Sequence, residues 1–309
     1  MTRPVFRAAP IRVRVPATSA NLGPGFDCFA LSLGLHDDLV AQIVDEPGIR
    51  VDISGEGSEA LPRDGKHLVA KVMKQAFDAM GGQPRGLELV CANRIPHRRG
   101  LGSSAAAIVG GLVLARALVV GGEELLPDDQ VLAMATSIEG HPDNVAACLH
   151  GGFTMAWMDG QQAGAVRLDP HVDLALIVLV PSNTSSTKKT RGLLPENIGH
   201  RDAAFNVGRA ALLSHALTRD PSLLFTATQD RMHQDQRRDA YPKTLDAIAK
   251  LREQGLPAVV SGAGPTVLIM TTTDHADDAM LVAKDVAKDR FEVAALSVDL
   301  AGAGVVALA

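Results

Sequence analysis

Residues 11–15 alternate apolar and basic side chains, the period-two pattern of a strand with one buried face. Pro16 ends the alternation, and residues 16–27 hold too many glycines and prolines to predict regular structure. Further strands are predicted at 31–43 and 49–53, with a polar loop at 56–65. Leu68, Val69, Val72, Met73, Ala76, Phe77 and Met80 recur at helical spacing, and Gly81 and Gly82 stop that helix. Residues 87–91 predict a strand. Residues 104–119 are apolar on nearly every side, which predicts a helix buried all round. Short helices are expected at 130–139 and 143–149. The second half predicts strands at 153–158 and 174–180, a hydroxyl-rich basic loop at 182–191, and helices at 201–216, 223–228, 241–254 and 274–288. Apolar runs at 258–260 and 266–270 flank a glycine turn, and 293–300 is strand-like. Strands and helices mix without strict alternation, so the pattern favours α+β over a doubly wound sheet. Breaks around Asp159, Gly160, Asp169 and Pro170 suggest two domains, 1–165 and 166–309.

Aromatic residues are only 3% of the 309 residues, so Ala, Val, Leu and Gly must build the core. A formal charge of -5 leaves no basic field of the kind that binds nucleic acid. Cys28, Cys91 and Cys148 are far apart, with neither zinc-ligand spacing nor a disulfide framework. A reducing, cytoplasmic setting is the simplest expectation. The first ten residues carry no apolar signal core, and the longer apolar stretches are interrupted by glycine or charge, so neither a signal peptide nor a membrane span is expected.

The strongest chemical signal lies between a predicted strand and the buried helix: Pro96, His97, Arg98, Arg99, Gly100, Leu101, Gly102, Ser103, Ser104, Ala105 and Ala106. Glycines at 100 and 102 would let backbone N–H groups approach a ligand, and Ser103 or Ser104 stands where an N-cap is needed. Unpaired N–H groups at the helix start suit phosphate oxygens. No Gly-Lys-Ser/Thr follows, and Gly-x-Gly-x-x-Gly is absent, so this is neither a Walker A loop nor a dinucleotide fingerprint. By itself it could also be an ordinary glycine-rich turn.

The segment resembles the ATP-binding motif of the GHMP kinases (galactokinase, homoserine kinase, mevalonate kinase and phosphomevalonate kinase). Residues 16–27 and 260–266 resemble that superfamily's N-terminal motif and C-terminal glycine motif, in the same order. The first of these matches the homoserine kinase pattern at every fixed position. The resemblance implies a two-domain fold: an N-terminal mixed β-sheet domain with buried helices, and a C-terminal ferredoxin-like α/β plait. It implies ATP and Mg²⁺, an L-homoserine substrate, a role in threonine biosynthesis, and a homodimer.

By the same resemblance, Asn21, Asp27, His141, Asp143, Asn144, Thr187, Arg191, Arg237 and Gly262 would face the amino acid, with Asn144 and Arg191 at the reacting centre. Ser104 and Glu139 would hold the metal. The residue types suit these roles: a carboxylate for an ammonium group, and planar guanidinium groups for a carboxylate. Read without the resemblance, Asn21 could form a local turn, His141 to Asn144 a capped turn, the basic residues solvated loops, and Gly262 a tight strand connection. Some relatives place Asp where this chain has Asn144, so no side-chain general base is expected. His67 stands where relatives more often carry Asn. Another small-alcohol kinase, or an amino-acid sensor on the same fold, are the alternatives.

Overall fold

The computed structural model describes residues 4–185 and 187–308, apart from the side chains of residues 187 and 188. The first half runs β1 (Ile11–Asn21), β2 (Gly25–Val44), β3 (Gly48–Gly55), α1 (Leu68–Ala79), β4 (Gly86–Asn93), α2 (Ser103–Leu118), α3 (Gly122–Leu125), α4 (Asp128–Glu139), α5 (Asp143–His150), β5 (Phe153–Asp159) and β6 (Gln162–Leu168). The second half runs β7 (Leu174–Pro181), α6 (Thr187–Arg191), α7 (His200–Thr218), α8 (Leu224–Ala227), α9 (Pro242–Glu253), β8 (Ala258–Val260), β9 (Val267–Thr272), α10 (Ala276–Ala287), β10 (Phe291–Leu296) and β11 (Gly304–Val306).

Two sheets organise these elements. The first has the order β11-β1-β2-β4-β3, with β5 on β2 and β6 on β5. The second has the order β10-β7-β9-β8, all antiparallel. Numbered within itself, that sheet reads 4-1-3-2 in a β-α-β-β-α-β chain order, the α/β plait that the resemblance implies.

The apolar periodicity explains the layering. Helix α2 carries almost no polar residue because it is sandwiched: a Cβ added at Gly110 would strike Leu39 and Val15 of the sheet, and one at Gly111 would meet Val69 and Val72 of α1. Strand β7 is apolar on both faces because both are covered. Leu176 and Val178 join the main core with Leu213 and Leu217 of α7, while Ile177 and Leu179 join the second core with Leu245 of α9 and Ala283 of α10.

Several local expectations change. Strand β1 does not stop at Pro16 but continues to Asn21, with register shifts against β2 at Pro16/Ala17 and Ala20/Asn21. A bulge is where a strand tolerates a residue without an N–H. Strands β6 and β11 escape the pattern, β6 because no face of it is fully buried and β11 because it is only three residues long. The segment expected as loop at 182–191 ends in α6, the helix expected at 223–228 is a 3₁₀ turn (Pro221–Leu223) leading into α8, and β10 stops at Leu296. The division expected at 165/166 falls inside β6, and β11 returns to the first sheet, so the two sheets share the chain at both ends of the second. Among the described residues no helix is long and apolar enough to cross a membrane.

Candidate active site

The glycine-rich segment joins β4 to the N-terminus of α2, and its backbone is pinned from four sides. Asp37, buried on β2, accepts the N–H groups of Arg94 (2.6 Å) and Ile95 (2.8 Å) as the chain leaves β4. Thr18 N donates to Leu101 O at 3.1 Å and Thr266 N to Arg99 O at 3.3 Å. The Ser261 hydroxyl donates to Gly100 O at 2.6 Å, and Arg99 spends its guanidinium on the carbonyls of Pro181 and Ser182. Gly100 and Gly102 lie in the left-handed region at φ 77° and 70°. A Cβ at either would collide with protein, the Ser261 carbonyl and the Thr18 hydroxyl respectively. The glycines are therefore demanded by close packing of the loop, rather than by ligand approach alone.

The serines do not cap the helix. Gly102 is the N-cap residue, no side chain caps it, and the Ser104 hydroxyl donates instead to Glu139 Oε2 at 2.6 Å. The amides at the start of α2 thus stay free of side-chain caps, facing a cleft of about 310 Å³. Arg98, Gly100, Gly102, Ser103 and Ser104 form one wall of it, and Glu139, His141, Asp143 and Asn144 another. Asn21 at the end of β1, Arg191 of α6, Arg237 from a 3₁₀ turn (Asp235–Ala240) ahead of α9, and Gly262 from the β8–β9 turn close it. A second cavity of about 210 Å³ lies on the other side of the loop, walled by Val15, Leu39, Leu61, Val69 and Ala106 with His67 and His97. The two share Arg98, Ser103 and Ser104.

Sequence-predicted residues therefore meet in one place, with differences in detail. Pro96, Arg99, Leu101, Ala105 and Asp27 line neither cavity. Leu101 and Ala105 are core residues, and Arg99 is an anchor. The Asn21 amide is used internally, its nitrogen donating to Gly262 O at 2.8 Å and its oxygen accepting from Asp27 N at 3.0 Å. Asp27 and Arg191, 164 residues apart, form a bidentate pair at 2.5 and 2.8 Å. That pair raises the pKa of Arg191 above its ordinary value. The side chain of Thr187 lies outside the described residues.

Electrostatics separate the walls. Burial pushes the Glu139 carboxyl above the ordinary range, against the opposing pull of the Ser104 hydroxyl. For His141, burial works downward, but the Asp143 carboxylate at 2.7 Å and the charge of Glu139 outweigh it, and its pKa is raised. Arg237 is 1% exposed, and among the described residues no acidic side chain pairs with it. Its Nε has no hydrogen-bond partner, and its guanidinium lies 5.2 Å from the Phe26 ring centre. Arg191 approaches the same ring at 5.4 Å.

Sequence reasoning missed Phe26 and Thr18. Thr18 is fully buried and its hydroxyl donates to the Asn144 amide oxygen at 2.7 Å, which orients that side chain. Both lie inside the N-terminal motif, so membership of that motif was their only signal.

Comparison with known proteins agrees. The GHMP kinases N terminal domain matches residues 67–152, and the GHMP kinases C terminal domain matches residues 203–288. A homoserine kinase of Streptomyces avermitilis is 56% identical over the whole of both chains. A homoserine kinase of Clavibacter michiganensis is 50% identical over 84% of this chain and 82% of its own. The crystal structure of homoserine kinase from Cytophaga hutchinsonii superposes with a TM-score of 0.84 at 26% identity, covering 99% of this chain and 100% of that one. A mevalonate kinase of L. major, at 14% identity and a TM-score of 0.70, shares the fold over 98% of this chain and 100% of its own. With both halves matched in order and full-length relatives above half identity, the chain belongs to the GHMP kinases and, within them, to the homoserine kinase family.

Proposed function

We propose that the protein transfers the γ-phosphoryl group of ATP to the side-chain hydroxyl of L-homoserine, forming O-phospho-L-homoserine. The observation that carries this reading is the pair of cavities joined at the start of α2 by Arg98, Ser103 and Ser104. The apolar one suits a nucleobase, the shared edge suits phosphates at free backbone amides, and the polar one suits a small zwitterion. The Nδ1 of His67, buried beside the apolar cavity without a partner, is a candidate contact there.

In this reading Arg237 and Arg191 take the substrate carboxylate, and Asp27, which Arg191 holds at the edge of the cleft, takes the ammonium group. A zwitterion exchanges with the Asp27–Arg191 pair without leaving either charge unmatched, which a simple alcohol cannot do. Ser104 and Glu139 offer hard oxygen donors 2.6 Å apart. Among the described residues no group of three or more His, Cys, Asp or Glu side chains could hold a metal. That donor set fits Mg²⁺, which takes most of its ligands from phosphate and water. When bound, the ion neutralises charge on the phosphates. A reducing, cytoplasmic setting belongs to the same proposal and suits three free cysteines.

Transfer forms a bond from the homoserine hydroxyl oxygen to the γ-phosphorus and breaks the β–γ bridge, and the hydroxyl proton departs to phosphate oxygen or water. Asn144 has no carboxylate to take it. The protein's contribution is placement, for which effective molarities of ~10⁵–10⁸ M are attainable. Release of ADP from Mg-ATP in the presence of homoserine, threonine, serine, shikimate and mevalonate tests the reading. Homoserine should be preferred, and a preference for an alcohol without both charges would defeat it.

A further inference from the structure

His233 is fully enclosed, at 1% exposure, between two parts of the site contributed by different halves of the chain. Its Nε2 lies 2.6 Å from the carbonyl oxygen of Gly23, in the β1–β2 loop that leads into Phe26 and Asp27 at the start of β2. Its Nδ1 lies 3.4 Å from Nη1 of Arg237. The ring also packs on Phe26, centroid to centroid 5.0 Å.

These partners determine the state of the imidazole. A carbonyl only accepts, so Nε2 carries the proton. A guanidinium only donates, so Nδ1 offers its lone pair. Both contacts are satisfied by a single form, the neutral Nε2–H tautomer. Burial favours the neutral form and lowers the pKa. The charge of Asp230 works against this, Arg237 works with it, and Asp27 opposes it more weakly. The Asp230 carboxylate, 3.8 Å away, is already committed to Asn206 Nδ2 (2.7 Å) and to the N–H groups of Met232, His233 and Gln234.

We infer that His233 is a positioning residue that aims the Arg237 guanidinium into the cleft without neutralising it, while tethering the β1–β2 loop to the same point. A carboxylate at this position would also orient Arg237, but it would quench the charge and compete with the substrate carboxylate. A neutral acceptor avoids that competition. Direction and available charge are thereby both preserved. This inference rests on the assignment of Arg237 to the substrate carboxylate.

The test compares His233→Gln, His233→Leu, His233→Glu and Arg237→Met by steady-state kinetics with Mg-ATP and homoserine. Glutamine retains an N–H donor and a neutral acceptor, so the homoserine KM should stay within about threefold of the wild type. Leucine fills the space without either function and should raise the homoserine KM about 10- to 100-fold, with the KM for ATP within about twofold. Glutamate should raise the homoserine KM at least as far as leucine does. Equal rises in both KM values for the leucine variant, an unchanged homoserine KM, or a glutamate variant that binds homoserine normally would overturn the inference. If Arg237→Met leaves the homoserine KM unchanged, the substrate assignment itself fails. If that variant is impaired and His233→Leu is not, the inference about His233 alone fails. Should the leucine variant not fold, ¹⁵N spectra of the imidazole in the wild-type protein decide. The Nε2–H tautomer at neutral pH supports the assignment, and the Nδ1–H or cationic form refutes it.

Discussion

Replacing Arg237 by Met should push binding and stability in opposite directions. Arg237 is 1% exposed, its Nε is unpartnered, and its near neighbours are His233, Tyr241 and the Phe26 ring. A hydrogen bond to a charged group contributes about 1.5–3 kcal/mol, so losing a two-pronged contact to the substrate carboxylate should cost about 3 kcal/mol. That corresponds to a rise of roughly 100- to 200-fold in the homoserine KM. The free protein gains instead, because an unpaired buried charge is costly and a cation–π contact of ~0.5–2 kcal/mol recovers only part of that cost. A net gain of about 1 kcal/mol, spread over the unfolding entropy of a 309-residue chain, raises Tm by about 1–2 °C. Scanning calorimetry with and without homoserine, alongside initial rates, reads both effects. Homoserine should raise the Tm of the wild type and leave that of the variant unmoved. A Tm several degrees lower with an unchanged homoserine KM would refute the reasoning and make Arg237 a structural residue.

Ser104→Ala and Glu139→Gln should each raise the KM for Mg-ATP by about tenfold while changing the homoserine KM little, as initial rates at varied Mg²⁺ would report. Because burial raises the Glu139 pKa, protons compete with the metal, and Mg-ATP affinity should weaken as pH falls sooner than an ordinary carboxylate would allow. Gly102→Ala should destabilise the protein by about 1–3 kcal/mol in urea unfolding, because φ is 70° there and the added methyl meets Thr18. Asp38, held below its ordinary pKa by hydrogen bonds and charge from Arg14 and Arg12 despite opposing burial, stabilises the fold while it is ionised. Asp38→Asn should cost about 1–2 kcal/mol at pH 7, since Arg14 is partly solvated, and the gap to wild type should close as pH falls below about 4.

What could be read in advance was whatever local order encodes. The helical spacing of 68–80 and the apolar sweep of 104–119 became α1 and α2, and the glycine and serine motif fell where a strand hands over to a buried helix. Interactions between distant segments were invisible. The Asp27–Arg191 pair spans 164 residues and the Asn21–Gly262 bond 241, so their partnership follows from the fold rather than from any spacing. The same holds for Thr18 against Asn144 and for His233 against Gly23. At Gly100 and Gly102 the sequence motif points to a correct property for an incomplete reason. Their neighbours are protein atoms, Ser261 and Thr18, that only the folded chain brings near. Pro16 misled for a related reason, because a bulge in a long hairpin tolerates a proline that a local rule reads as a strand end.

Phosphorus NMR of a reaction containing the protein, Mg-ATP and L-homoserine addresses the central claim most directly. The γ-phosphate signal should be replaced by a phosphomonoester resonance coupled to the terminal methylene protons of homoserine, in step with ADP. Inorganic phosphate accompanying ADP with no phosphomonoester formed, or no turnover while homoserine is present, would contradict the account.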